Sequence, residues 1–308
     1  MRTCPPPVAN LSGTLAPRLS AVAVALAALL VAASCTSSAP SITPGGSTTP
    51  TSGPTGDGAT INHAQGPTDV VFRYEVGGGF VPIDFFATQA PQFTLYGDGT
   101  VIFRDNSLPI PAQQNPNIAT LAPFQTARLG EPAMQSFLRF ALADSGLGVA
   151  RASYRPGNVA DAPTTTFTIN AGGLTKTVSV EALGFDLPNS PDAPILKALA
   201  RLGEQVGSFG KAVDGETTWN PTRWRGILTE SQGNGAIAWP WKDITPAEFV
   251  QRADPNAPRF PIRTMTPAEI QVLGLGGIDG GFSGLRLIGP DGKTYTFSLR
   301  PLFPDENF

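Results

Sequence analysis

Alternating apolar and polar positions indicate where the strands of this chain lie. In FTLYGDGTVIF, residues 93 to 103, apolar side chains recur at every second position on both sides of Asp98-Gly99. An Asp-Gly pair between two such runs favours a hairpin, because both turn residues tolerate positive φ. The same alternation predicts a strand in VVFRYEV (70 to 76) and hairpins in PTTTFTINAGGLTKTVSV (163 to 180) and LRLIGPDGKTYTFSL (285 to 299).

Helical spacing of apolar residues predicts two amphipathic helices between these strands. The first covers about 131 to 145, and the second begins near Ser190-Pro191. Their predicted buried faces are Met134, Phe137, Leu138, Ala141 and Leu142 in the first helix, and Ile195, Leu199, Leu202 and Val206 in the second. Residues 69 to about 215 are therefore predicted to form an α+β domain, with antiparallel β-hairpins packed against two or more amphipathic helices.

The remainder of the chain, 216 to 308, contains all four tryptophans. Its segments ITPAEF (244 to 249) and MTPAEI (265 to 270) each predict a short helix, with Thr as the cap, Pro in the first turn and Glu closing a capping box. The pattern leaves two possibilities open: a second, Trp-containing domain, or an extension of the first domain.

The N-terminus has the layout of an export signal. An apolar run, 19 to 34, follows Arg18 and gives way to small polar residues. A permanent membrane helix needs about 20 apolar residues, so this run is short for one. We therefore predict a signal peptide over residues 1 to 34.

The end of that run, Ala32-Ala33-Ser34-Cys35, resembles the lipobox of bacterial lipoproteins. In that family the cysteine thiol is acylated, and cleavage makes the cysteine the new N-terminus. The resemblance implies lipidation of Cys35 and attachment to the extracytoplasmic face of the cell membrane through that lipid. Ordinary cleavage near Val31-Ala32-Ala33 is the alternative, and it would release a secreted protein.

Residues 35 to 68 are predicted to be a disordered tether. Ser, Thr, Pro and Gly dominate this stretch, and Ile42 and Ile61 are its only large apolar side chains. Such a segment buries too little apolar surface to offset the entropy of ordering.

Two phrases in the body of the chain carry a second resemblance. They are YGDGTV at 96 to 101, and the run from DAPTTTFTI to GGLTKTVSV at 161 to 180. Both are similar to phrases in a group of uncharacterised bacterial secreted and lipoprotein α+β domains. That group has no assigned activity, so the resemblance implies a fold and an extracytoplasmic location only.

Composition and charge argue against several classes of function. The net charge of -3 and the absence of a Lys/Arg run disfavour nucleic-acid binding. The two cysteines, Cys4 and Cys35, both precede the predicted domain, and the one histidine, His63, is in the predicted tether. A zinc site and a Ser-His-Asp triad are therefore not expected. We assign no catalytic residue, metal ligand or cofactor.

The candidate contact residues are Trp239 and Trp241 in the WPW segment. Exposed indoles stack on sugars or anchor protein partners, whereas buried ones are core residues. The leading hypothesis is a lipid-anchored, non-catalytic binding or envelope-accessory module whose partner is an envelope protein or a glycan. A secreted polysaccharide hydrolase that uses paired carboxylates remains the alternative, since such chemistry needs no histidine.

Overall fold

A computed structural model describes residues 60–112, 115–155, 159, 161–185, 190–232, 236–251 and 260–307. The side chains of residues 83 and 84 are not among the parts it describes. The predicted signal peptide 1–34, the lipidation candidate Cys35 and the first part of the predicted tether lie outside the described residues.

The described residues contain both strands and helices. The helices are α1 (Ile83–Ala87), α2 (Glu131–Arg139), α3 (Ala193–Gly207) and α4 (Pro267–Gln271). The strands are β1 (Val70–Gly78), β2 (Phe93–Tyr96), β3 (Thr100–Phe103), β4 (Ala119–Thr120), β5 (Gln125–Arg128), β6 (Ser153–Tyr154), β7 (Pro163–Ala171), β8 (Leu174–Glu181), β9 (Thr217–Thr218), β10 (Trp224–Glu230), β11 (Ile237–Ala238), β12 (Ile262–Met265), β13 (Phe282–Ile288) and β14 (Thr294–Pro301).

The first sheet runs in the order β6-β8-β7-β1-β2-β3-β5-β9. Its neighbouring strands are antiparallel except β6 and β8. Apolar residues of α2 and α3 pack on one face of this sheet, with Phe137 and Leu202 among them. The opposite face of the sheet holds a smaller cluster of Tyr96, Ile102, Phe124 and Phe303.

The second sheet runs in the order β11-β13-β14-β10-β12, and β4 also pairs with β13. Its core is rich in aromatic residues, since Trp224, Trp241, Phe282 and Phe297 belong to one buried cluster. Two largely antiparallel sheets with helices on the first agree with the α+β class predicted from the sequence.

The two sheets exchange strands across the predicted boundary at 215. Strand β9 lies after the boundary but pairs with β5 in the first sheet. Strand β4 lies before the boundary but pairs with β13 in the second. The described residues accordingly belong to one compact unit.

The predicted disorder of residues 60–68 is wrong, because this segment packs on the first sheet. The backbone N–H of Ile61 donates to Gln135 Oε1 at 2.8 Å, and Gln135 Nε2 donates to the Ile61 carbonyl at 2.9 Å. His63 forms a β-bridge with Ala171, and its Nε2 lies 3.2 Å from Glu131 Oε1. Paired backbone groups and the packing of Ile61 on the core supply the stabilisation that the composition of the segment did not suggest.

No helix in the described ranges has both the length and the apolar character required to cross a membrane.

Candidate binding surface around helix α1

The chain leaves the first sheet through a glycine turn at the end of β1. Gly78 and Gly79 have φ values of 74° and 80°, which side chains other than glycine rarely adopt. A Cβ at Gly79 would also lie 3.2 Å from the Asp161 carbonyl oxygen. The turn therefore requires glycine, and it directs the next residues, FVPIDFFA, outward from the sheet.

Three phenylalanine side chains in that segment are exposed. Phe80 is 90% exposed, Phe85 is 42% exposed and Phe86 is 48% exposed. We call these three residues the α1 patch. Isolated exposed apolar residues are common on soluble proteins, but several large ones in one short segment are typical of interaction surfaces.

Three depressions lined by described residues adjoin this segment. The first, of about 610 Å³, lies between Phe85 and the β4 and β13 strands, where Ile118 and Ser283 line it. The second, of about 400 Å³, includes Tyr74, Phe85 and Arg104 among its lining residues. The third, of about 410 Å³, is lined by Glu75, Val76, Gly77, Gly78, Phe86, Gln89, Ala90, Thr164 and Thr166. We call the third depression the Glu75 pocket.

Glu75 is a partly buried carboxyl group in the third depression. Burial is the largest influence on its pKa and raises it; Arg73 opposes that shift. Among the described residues, no hydrogen bond or ion pair involves the Glu75 carboxyl group.

Arg104, in the second depression, carries a charge in a similarly desolvated position. Its guanidinium carbon lies 4.0 Å from the centroid of the Phe124 ring, and its Nη1 donates to the Ala122 carbonyl. Burial lowers the pKa of Arg104 to about 10. The surface around α1 thus has apolar walls and one partly buried charge of each sign.

The neighbouring charges of the first sheet are neutralised by the C-terminal segment. Arg73 Nη2 contacts the two carboxylate oxygens of Asp305 at 2.7 and 2.8 Å, and the Tyr96 hydroxyl donates to Asp305 at 2.7 Å. Burial lowers the pKa of Arg73, but Asp305 outweighs burial and the net shift is upward. Burial and the Asp305 charge both raise the pKa of Tyr96.

A second ion pair fixes the same segment from the other sheet. Arg300 donates to the two carboxylate oxygens of Glu306 at 2.9 and 2.5 Å, and the backbone N–H of Phe303 donates to Glu306 at 2.8 Å. Burial raises the pKa of Glu306, yet Arg300 outweighs it and the net shift is downward. These contacts hold the C-terminal segment in place, and both carboxylate oxygens of Glu306 accept hydrogen bonds.

The predicted contact residues Trp239 and Trp241 lie in the core of the second sheet. Trp241 is 6% exposed, and its Nε1 donates to the Glu269 carbonyl at 2.8 Å. Trp239 is partly buried, and its Nε1 donates to the Ile244 carbonyl at 2.6 Å. The two rings meet edge to face, with centroids 5.2 Å apart. Packing accounts for both indoles, and a role in ligand or partner contact stays a hypothesis.

Two carboxylates near this tryptophan cluster are held by one arginine. Arg263 contacts Glu248 at 3.3 Å and Glu269 at 2.8 Å. Both glutamates also close the capping boxes of the two TPAE segments. The hydrogen bond from Arg263 is the largest influence on Glu269 and lowers its pKa, whereas a general acid in glycoside hydrolysis needs a raised pKa.

The sequence patterns did not identify the α1 patch or Glu75. FVPIDFFA has neither strand alternation nor a full helical face, so periodicity assigns it to no element. Its density of large apolar residues directly after three glycines is the signal that was available.

Within the described residues, no three His, Cys, Asp or Glu side chains come together as potential metal ligands. Comparisons of the chain with protein-family models, with curated proteins and with solved structures gave no match.

Proposed function

We propose that this protein is a lipid-anchored, non-catalytic binding module on the extracytoplasmic face of a bacterial membrane, and that the α1 patch contacts its partner. The lipobox-like Ala32-Ala33-Ser34-Cys35 supports the anchor. The single observation that carries the binding function is the exposure of Phe80, Phe85 and Phe86 within one turn and a short helix.

Burial by a partner would stabilise these rings considerably. Transfer of one phenylalanine side chain from water into a packed interface is worth roughly 1.5–3 kcal/mol. Aromatic residues are also over-represented among the residues that dominate binding energy. The adjoining depressions give a partner places to insert its own side chains.

The position of the patch suits presentation to a partner. His63 pairs with Ala171 at one end of β7, whereas Gly78 pairs with Pro163 at the other end. The N-terminal segment therefore joins the folded unit about 26 Å along β7 from the glycine turn, at about 3.3 Å per residue. A chain that runs from Cys35 would therefore enter the folded unit at the end of β7 away from Gly78.

Site-specific photocrosslinking in native cells tests the binding function. A benzophenone amino acid replaces Phe80 in one variant and Val149, which is 85% exposed and outside the patch, in the control. We expect a discrete adduct from position 80 that a Phe85→Ser substitution in the same chain weakens. The control position should give none. Equal adducts from both positions, or no adduct from position 80, would contradict a partner surface at the α1 patch.

A further inference from the structure

The Glu75 pocket combines an unpaired carboxyl group with an exposed aromatic ring. We propose that this pocket binds an organic cation, the ammonium or guanidinium group of a lysine or arginine side chain on the partner, with Glu75 as its counter-ion. The inference rests on the proposed function, because the α1 patch brings that partner to the pocket. It adds that the partner presents a positively charged side chain to the pocket.

The strand register places the pocket's polar groups on one side of the first sheet. Glu75 pairs with Thr166 across β1 and β7, and Gly77 pairs with Thr164. Directly paired residues of antiparallel strands project to the same face, so the carboxyl and both hydroxyls line one depression. Hydroxyl and carboxylate oxygens all accept hydrogen bonds from a cationic N–H donor.

Gln89 closes the rim of the pocket beside Gly77. A Cβ at Gly77 would lie 2.9 Å from Gln89 Oε1. The Gln89 amide can occupy this position because Gly77 has no side chain. Gln89 Oε1 also accepts from the Gly78 N–H at 3.4 Å. The rim therefore consists of the Gln89 amide, which is restrained by this bond, and of the backbone of Gly77 and Gly78.

The local charges leave Glu75 available to an external cation. The two cations that lower the pKa of Glu75, Arg73 and Arg300, are each held by two hydrogen bonds to a carboxylate of the C-terminal segment. The charges of Asp305 and Glu306 raise the pKa of Glu75 further, beyond the effect of burial, while both arginines lower it. A cation that enters the pocket would give this carboxylate the partner that the described residues do not supply.

Phe86 gives the pocket a second means of holding a cation. Its ring is 48% exposed and lines the same depression as Glu75. A cation over an aromatic face within about 6 Å gains roughly 0.5–2 kcal/mol, depending on its desolvation. Carboxylate and ring together favour an organic cation over a neutral or anionic group.

Calorimetric titration of the purified full chain with benzylammonium, at mildly alkaline pH, tests the pocket. Benzyl alcohol is the neutral probe, and Glu75→Gln removes the charge. The control is Glu204→Gln, at an exposed position of helix α3, which packs on the opposite face of the sheet. We expect Glu75→Gln to weaken benzylammonium binding about tenfold, the usual worth of one charge-assisted hydrogen bond, and Glu204→Gln to leave it within about twofold. Benzyl alcohol should bind weakly and equally to all three proteins.

Several outcomes would overturn the inference. Equal binding of benzylammonium to the native chain and Glu75→Gln would do so, as would equal binding of the two probes or no binding at millimolar concentration. Circular dichroism of Glu75→Gln separates lost recognition from lost folding. Thr166→Val is a second variant in the pocket, and a loss of affinity there supports the same site.

The crosslinking adduct distinguishes failure of this inference from failure of the proposed function. An adduct from position 80 that Glu75→Gln weakens supports a basic side chain on the partner. An adduct of unchanged yield contradicts the cation pocket and leaves the α1 patch as the partner surface. Benzylammonium binding without any adduct retains the pocket but contradicts the protein partner as the source of the cation.

Discussion

Glu75 is the residue at which recognition and stability are expected to oppose each other. Its side chain is partly buried on a central strand of the first sheet, and burial disfavours the ionised form. A structure optimised for stability alone would pair this carboxyl or replace it with a neutral residue. The unpaired carboxyl instead lines an accessible depression next to exposed aromatic side chains.

The raised pKa of Glu75 predicts the pH dependence of a substitution. The folded chain binds the Glu75 proton more tightly than the unfolded chain does. Binding of this proton therefore stabilises the fold, and the stabilisation is complete below the ordinary glutamate pKa of about 4.3. It is lost as the pH rises through the higher folded pKa. Glu75→Gln should therefore raise the free energy of unfolding at pH 7, and the gain should shrink as the pH falls toward 4.

Urea unfolding of the native chain and of Glu75→Gln across this pH range measures the difference. A variant that is less stable than the native chain at pH 7 would show that the carboxylate has a stabilising partner. That result would also argue against an available counter-ion for a ligand.

At the scale of elements, the segment around WPW acts as a buried support for the second sheet. Trp241 packs against Phe297 of β14, with ring centroids 5.2 Å apart, and its indole N–H is bonded to backbone. The proline between the two tryptophans disfavours a regular helix or strand in this segment. Irregular backbone can still bury its side chains when their N–H groups find carbonyl acceptors, as both indoles do here.

Removal of the Trp241 side chain should be costly. Trp241→Ala is expected to reduce the free energy of unfolding by about 3–5 kcal/mol, because it leaves a large cavity in the core. The control is Ile288→Ala in the same sheet, where the side chain is 46% exposed and the cost should be much smaller. Urea unfolding measures both. A cost below about 1 kcal/mol for Trp241→Ala would contradict a packing role for this side chain.

Local patterns and structure can be compared element by element. The Asp98-Gly99 pair lies between β2 and β3, which are antiparallel, and the predicted helix at 131 to 145 overlaps α2 and a following π-helical turn, Phe140–Asp144. Turn chemistry and helical periodicity are local properties, so the sequence displays them directly. Segment 60–68 was misjudged because its order depends on Gln135 and β7, which are distant in the chain.

At the scale of the whole molecule, the C-terminal segment joins the two sheets. Phe303 packs with Tyr96 and Phe124 beneath the first sheet, while Asp305 bonds Arg73 and Glu306 bonds Arg300 of β14. No local pattern in PLFPDENF indicates these partners. The arrangement of the sheets, the position of the α1 patch and the Glu75 pocket all depend on such distant contacts. The sequence therefore shows the apolar density of FVPIDFFA but not where this segment lies in the fold.

The proposed activity of the whole molecule depends on how it is held outside the cell. A lipid on Cys35 would restrict the folded unit to a membrane surface. Acyl chains contribute roughly 0.8 kcal/mol for each buried methylene, so two or more chains give stable attachment without a spanning helix.

Metabolic labelling of native cells with an alkyne fatty acid tests this claim most directly. The native chain and the control Cys4→Ser should incorporate the label, and Cys35→Ser should lose it and release the protein from the membrane fraction. Label that persists in Cys35→Ser, or a native chain that takes up none, would contradict a lipid-anchored binding module.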